Sequence, residues 1–131
     1  MPSRHTALGL VALAAIGLTT GCEKQSPYIT LTAHGVTVKA RAQKYCREGK
    51  CAEGKSTAFL TVGAEDILGI DVPRSVAEDG WRLGGSGDFH HDHYLAIPLT
   101  GRVQPGQSIP LQIARDETHG IGEWLFTIKV K

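Results

Sequence analysis

From Tyr28 to the end of the chain, polar and apolar residues alternate with a period of two. The clearest stretch is the last, where Trp124, Phe126, Ile128 and Val130 face one way and Glu123, Leu125, Thr127 and Lys129 the other. Successive side chains of an extended strand point to opposite faces, so this pattern describes strands with one face buried. Tyr28 to Thr32 and Val36 to Gln43 repeat it, and further strand-like runs cover Thr57 to Val62, Ile67 to Val72, Trp81 to Leu83, His93 to Leu99 and Ser108 to Ala114. Between them stand turn formers: His34-Gly35, Gly63, Val72-Pro73, Asp79-Gly80, Gly84 to Gly87, Pro105-Gly106 and His119 to Gly122.

Short strands about ten residues apart, punctuated in this way, predict an all-β fold. We expect an immunoglobulin-like antiparallel β-sandwich of about seven to eight strands. Ser75 to Asp79 is long enough for one helical turn, a crossing between the sheets. Pro98 and Pro110 mark edges or strand starts, because proline has no N–H to give to a ladder. Trp81 and Trp124 lie on alternating strands and are expected to fill the core.

The first 21 residues break this pattern. Arg4 opens a basic region, Ala7 to Leu18 is an apolar or glycine run, and Thr19-Thr20-Gly21 leads to Cys22. The run is shorter than the roughly 20 apolar residues of a membrane-spanning helix, but it fits an export signal with a small-residue cleavage site. The reading is a lipoprotein signal peptide over 1–21, with cleavage leaving Cys22 as an N-terminal cysteine carrying diacylglycerol. Residues 22–26 then form a tether of at most about 15 Å, and 27–131 the sandwich domain. A domain held that close to the bilayer works at the extracytoplasmic face of the cell membrane.

Export also constrains the other two cysteines. Cys46 and Cys51 bracket Arg47-Glu48-Gly49-Lys50, and in an oxidising compartment such a pair reads as a disulfide stapling a hairpin or loop. A redox role would need Cys-x-x-Cys at a helix start. Charge excludes another class. The full chain has 14 Lys and Arg against 13 Asp and Glu, and loss of Arg4 with the signal balances the two signs. Such a chain, without a basic stripe, is no nucleic-acid binder. With only Lys24 as a cation in the tether, membrane attachment falls to the acyl chains.

Several of these residues together resemble a known family. Ala42-Gln43-Lys44-Tyr45-Cys46 with Cys51, then Ile70-Asp71-Val72-Pro73, Ala77-Glu78 and Trp81-Arg82-Leu83, are similar to small actinobacterial lipoproteins classed as a domain of unknown function. The resemblance implies a lipid-anchored, immunoglobulin-like sandwich with a paired cysteine bridge, and it brings no catalytic residues.

One segment outside those motifs has chemical content. In Phe89-His90-His91-Asp92-His93-Tyr94, an extended backbone would put His91 and His93 on one face, and imidazoles suit Cu, Zn or Ni. A tight site needs a third ligand, from His119, Asp116 or His34. If consecutive strands simply alternate in direction, the turns at His34, 84–88 and 116–122 share one end, and the N-terminus and disulfide turn the other. The plainer reading is a glycine-rich tip with solvated histidines. Histidines also titrate near neutral pH, which would suit an acid-sensing contact.

Catalysis has weaker support. Ser86 lacks the Gly-x-Ser-x-Gly elbow, no phosphate-cradling motif precedes a helix, and Glu65-Asp66, Glu78-Asp79 and Asp116-Glu117 fall in turns rather than across a cleft. The expected function is therefore a non-enzymatic, lipid-anchored envelope module that binds a protein or wall component. The alternative is a metal-binding surface lipoprotein using His90 to His93, with His91, His93 and His119 as ligands and no other cofactor.

Overall fold

A computed structural model describes residues 26–54, 57–85 and 87–131. Cys22, the signal region, the tether up to Gln25 and Ser86 lie outside the described residues, and so does the His119 side chain. Ten strands form two packed layers. The first sheet has the order β2-β1-β6-β8, made of Val36–Arg41, Tyr28–Ala33, Ile67–Asp71 and Tyr94–Pro98. The second has the order β4-β3-β10-β9-β7, made of Lys50–Glu53, Lys44–Arg47, Gly122–Val130, Ser108–Arg115 and Trp81–Leu83. β5, Ala58–Val62, joins it by pairing with β10. This is the all-β sandwich that the alternation predicts.

The inward positions of that alternation make the core. Ile29, Leu31, Ala40 and Ile70 of one sheet meet Leu60, Val62, Ile113, Trp124 and Phe126 of the other, all buried. In β10 every even-numbered residue from Gly122 to Val130 is buried. Both tryptophans are fully buried, and each satisfies its indole N–H on a backbone carbonyl, Trp81 on Asp92 (2.8 Å) and Trp124 on Pro27 (3.0 Å). Pro98 closes the edge strand β8, and Pro110 lies in the first half of β9, before its pairing with β7 begins at Ile113. One turn of helix, α1 (Arg74–Asp79), crosses between the sheets.

Three features depart from expectation. Lys44–Arg47 and Lys50–Glu53 are strands in their own right, which raises the number to ten. One edge of β10 is divided: its first two residues pair with β3 in antiparallel sense, and Phe126 to Val130 pair with β5 in parallel. Strand directions also do not simply alternate. Residues 84–93 fold back, so that His90 bridges Trp81 and the His93 carbonyl accepts from Val72, and β8 then leaves in the same sense as β7.

That return shifts every later turn by one end and corrects the expected layout. The His34-Gly35 turn lies with Gly63 to Asp66 and the end of β10, where the Lys131 amide donates to Val62. The 116–121 turn and His90 to His93 lie at the other end, with Ser26, α1 and the disulfide hairpin.

Candidate functional site

The end where the tether enters is built by the first described residues. Ser26 is buried; its hydroxyl accepts the Ala42 N–H (3.0 Å) and its carbonyl accepts from the Arg41 guanidinium (2.8 Å). The next residue, Pro27, takes the Trp124 indole N–H. These bonds tie residues 26 and 27 to β2 and β10, so the chain enters the sandwich at a fixed point. Beside it Tyr28 is half exposed on the outer face of the first sheet, with the Arg41 guanidinium 4.2 Å and the Lys39 ammonium 5.5 Å from its ring centre.

The β3–β4 hairpin projects from the same end. Only Lys44 and Tyr45 pair with β10; beyond them the hairpin continues through Cys46 opposite Cys51 and Arg47 opposite Lys50. Its two central residues, Glu48 and Gly49, have φ of 54° and 77°, the arrangement that matches a two-residue turn to the strand twist. Cys46 and Cys51 form the expected disulfide, with Cα atoms 4.0 Å apart. Open grooves flank the tether exit. One, of about 430 Å³, is lined by Pro27, Tyr45, Arg47, Glu48, Lys50, Ala52 and Ser75. The other touches Ser26, Arg41, Ala52, Glu53 and Gly54.

A buried cation holds this end together. Arg115 is 1% exposed at the end of β9. It donates to the carbonyls of Cys46 (2.6 Å) and Gly120 (3.2 Å), faces the Asp79 carboxylate at 3.5 Å and stacks 4.5 Å from the centre of the Tyr45 ring. Tyr45 in turn meets Trp124 edge-on. One planar guanidinium thus joins β9, the hairpin, the 116–121 turn and α1, a set of directions that its rigid fork of donors suits. The one trace of it in the sequence is phase, since Arg115 alternates with Ile109, Leu111 and Ile113, the inward positions of β9.

The histidines are placed differently from the metal reading. Asp92 and His93 form a bend, and β8 begins at Tyr94, so the extended backbone that would pair His91 with His93 is absent. His90 packs against Trp81, with ring centres 5.1 Å apart, and His91 lies against Gly80. His34 stands at the opposite end, 3.8 Å from Asp66. Asp116 caps the turn by accepting from the Thr118 N–H. Among the described residues, no three His, Cys, Asp or Glu side chains gather as a metal site.

At least one member of each acidic pair has a structural partner. Asp66 accepts the Gly63 N–H, Glu78 accepts from Arg74, and Asp79 faces Arg115. Large exposed apolar side chains are distributed rather than pooled: Tyr28 and Tyr94 lie on the outer face of one sheet, Phe59 on that of the other, and Ile67 and Val36 near the far end.

Comparison with known proteins gives a family and no activity. Residues 22–86 match the profile of the family described as a protein of unknown function (DUF2771). The match begins at Cys22 and ends before the histidine segment. No curated protein and no solved structure matches.

Proposed function

We propose that this protein is a lipid-anchored, extracytoplasmic envelope protein whose sandwich serves as a binding or structural module rather than as a catalyst. The observation that carries the reading is the position of Cys22. It closes a basic, apolar and small-residue stretch that reads as an export signal, it is the first residue of the family match, and it stands four residues before Ser26, the first described residue of the sandwich. Acylation there gives the cysteine a use, while Cys46 and Cys51 satisfy each other.

The modular role is supported by what the polar groups do. Carboxylates that would suit a general acid and base are engaged in turn caps and ion pairs, and both grooves at the tether end are open. Partners of such a module are an envelope protein or wall component reached from the membrane surface. The test is expression of the full chain and of Cys22→Ala in a bacterial host that processes lipoproteins. The wild type is expected in the membrane fraction with the mass of a diacylated N-terminal Cys22, and the variant outside that fraction. Equal partitioning of the two, without added lipid mass, overturns the reading.

A further inference from the structure

The disulfide hairpin is held unequally on its two strands. On the β3 side, Lys44 and Tyr45 pair with β10, the Cys46 N–H donates to the Ile121 carbonyl (2.7 Å) and the Cys46 carbonyl accepts from the buried Arg115 guanidinium (2.6 Å). β4 is the outermost strand of its sheet, and among the described residues it pairs with β3 alone. The Gly54 N–H just beyond it donates to the Gln43 carbonyl (2.9 Å), and by the alternation of an antiparallel ladder the Ala52 N–H also faces β3. At the tip Arg47 and Lys50 stand directly opposite each other, a like-charge pair that weakens a ladder. The covalent bridge in the next pair, Cys46 with Cys51, holds β4 against that repulsion.

Access to the bridge is unequal in the same sense. Cys51 is exposed and Cys46 half-buried. In thiol–disulfide exchange the attacking thiolate approaches in line with the two sulfurs, on the side away from the one that leaves. Beyond Cys46 that line meets the 116–121 turn and the Arg115 guanidinium. Beyond Cys51 lies the open edge of the sheet. The two cysteines are also only five positions apart in sequence. Closing so short a loop removes little chain entropy, so the fold gains little from the bond and, by linkage, protects it little from reduction.

We infer that the Cys46–Cys51 bridge is a reducible latch on the β3–β4 hairpin, opened by a dithiol that attacks the Cys51 sulfur. The dithiol's thiolate forms a mixed disulfide with the Cys51 Sγ, and the Cys46 Sγ leaves with the bonding pair and takes up a proton. The second sulfur of the dithiol, as a thiolate, then closes onto the first, and Cys51 leaves and is protonated in turn. Two electrons pass from the dithiol, which ends as a disulfide, to the bridge, which ends as two thiols. β3 stays on the Arg115 network while β4 comes away. With β4 go Lys50 and Ala52, one wall of the groove of about 430 Å³ whose other wall includes Tyr45 and Arg47. The groove is complete only in the oxidised state. The latch belongs to the domain itself and holds whether or not Cys22 is acylated.

The test uses the mature chain, residues 22–131 with Cys22→Ser, in which all ten strands and the core lie and the bridge holds both remaining cysteines. Dithiothreitol is added without denaturant, and free thiols are counted by alkylation and mass. Reduction of the native domain should run within about tenfold of the rate in urea-unfolded protein, because access governs the rate. A single glutathione adduct, trapped in acid and mapped by peptide mass, should sit on Cys51. In the reduced domain, exchange of the Ala52 and Gly54 amides should accelerate at least about tenfold more than that of the Cys46 amide, with Leu31 and Val38 unchanged. Reduction in urea alone, an adduct on Cys46, or equal acceleration at Cys46 and Ala52 overturns the latch. Loss of protection throughout the core overturns it too, since the bridge would then hold the sandwich and not one strand.

Discussion

Two hairpins of this sandwich use the same turn and live under opposite conditions. The β1–β2 hairpin closes through His34 and Gly35, with φ of 50° and 77°; the β3–β4 hairpin closes through Glu48 and Gly49, with φ of 54° and 77°. The first is embedded in a sheet, because β1 also pairs with β6 and its inward residues Ile29, Leu31 and Ala33 are buried. Its last pairs are Thr32 with Thr37, whose hydroxyls lie 3.2 Å apart, and Ala33 with Val36. The second hangs from two residues of pairing with β10 and places like charges opposite each other at its tip. Where apolar burial holds a hairpin, no staple is needed. Where a hairpin must project and carry charge, a disulfide and a buried guanidinium take the place of a core.

Breaking the guanidinium should have the largest effect. Arg115→Leu removes the cation that Asp79 and the Cys46 and Gly120 carbonyls face, and should cost about 3–5 kcal/mol of unfolding free energy, read from urea denaturation. A loss below about 1 kcal/mol would show that the network is not what holds this end. Removing the staple with C46S/C51S should cost about 2 kcal/mol, as its loop is short. Hydrogen exchange sharpens the comparison here: the Lys44 to Glu53 amides should lose protection while those of Leu31 and Val38, a hydrogen-bonded pair of the β1–β2 ladder, keep theirs.

Trp124→Phe retains the ring volume of a core aromatic in part but removes the bond to the Pro27 carbonyl. It should cost about 1–2 kcal/mol and loosen the tether exit, seen as faster exchange of the Ala42 amide. Lys50→Glu replaces the repulsion opposite Arg47 with an attraction, and should stabilise the fold by about 0.5 kcal/mol, read from urea denaturation. A loss of stability would contradict the like-charge strain at the hairpin tip. Smallest of all, H91A/H93A should shift stability by less than about 0.5 kcal/mol, and Zn(II) or Cu(II) titrations of variant and wild type should overlay. A one-to-one, sub-micromolar isotherm abolished in the variant would restore the metal reading.

What is legible in the sequence follows from which interactions leave a periodic trace. β10 is legible because its inward residues are large and apolar at strict alternation, and both tryptophans fall in the core for the same reason. The disulfide is legible from cysteine spacing and the export signal. The two strands that carry it do not separate, since Lys44 to Glu53 is mostly polar and half-exposed, and burial is what writes a pattern. Arg115 faces inward through bonds to carbonyls that are distant in sequence. No local pattern reports such partners.

The layout of the ends depends on a single connection. From the sequence, residues 84–93 read as a simple hairpin turn leading into a strand at His93. They return instead to the start of β7, held by the His90 and Trp81 backbones and by the Trp81 indole on Asp92. A glycine-rich segment states that the chain turns without stating how far it travels before turning.

The most direct test of the proposed lipid anchor, which would hold the Ser26 end next to the bilayer, is depth. A fluorescent amino acid would be introduced at Glu48 or at His34 in the lipidated protein in bilayers, and quenched by lipids carrying the quencher in the headgroup region. A hairpin tip at the anchored end should show strong quenching at position 48 and little at position 34. Equal quenching at the two positions, or stronger quenching at 34, would contradict that orientation.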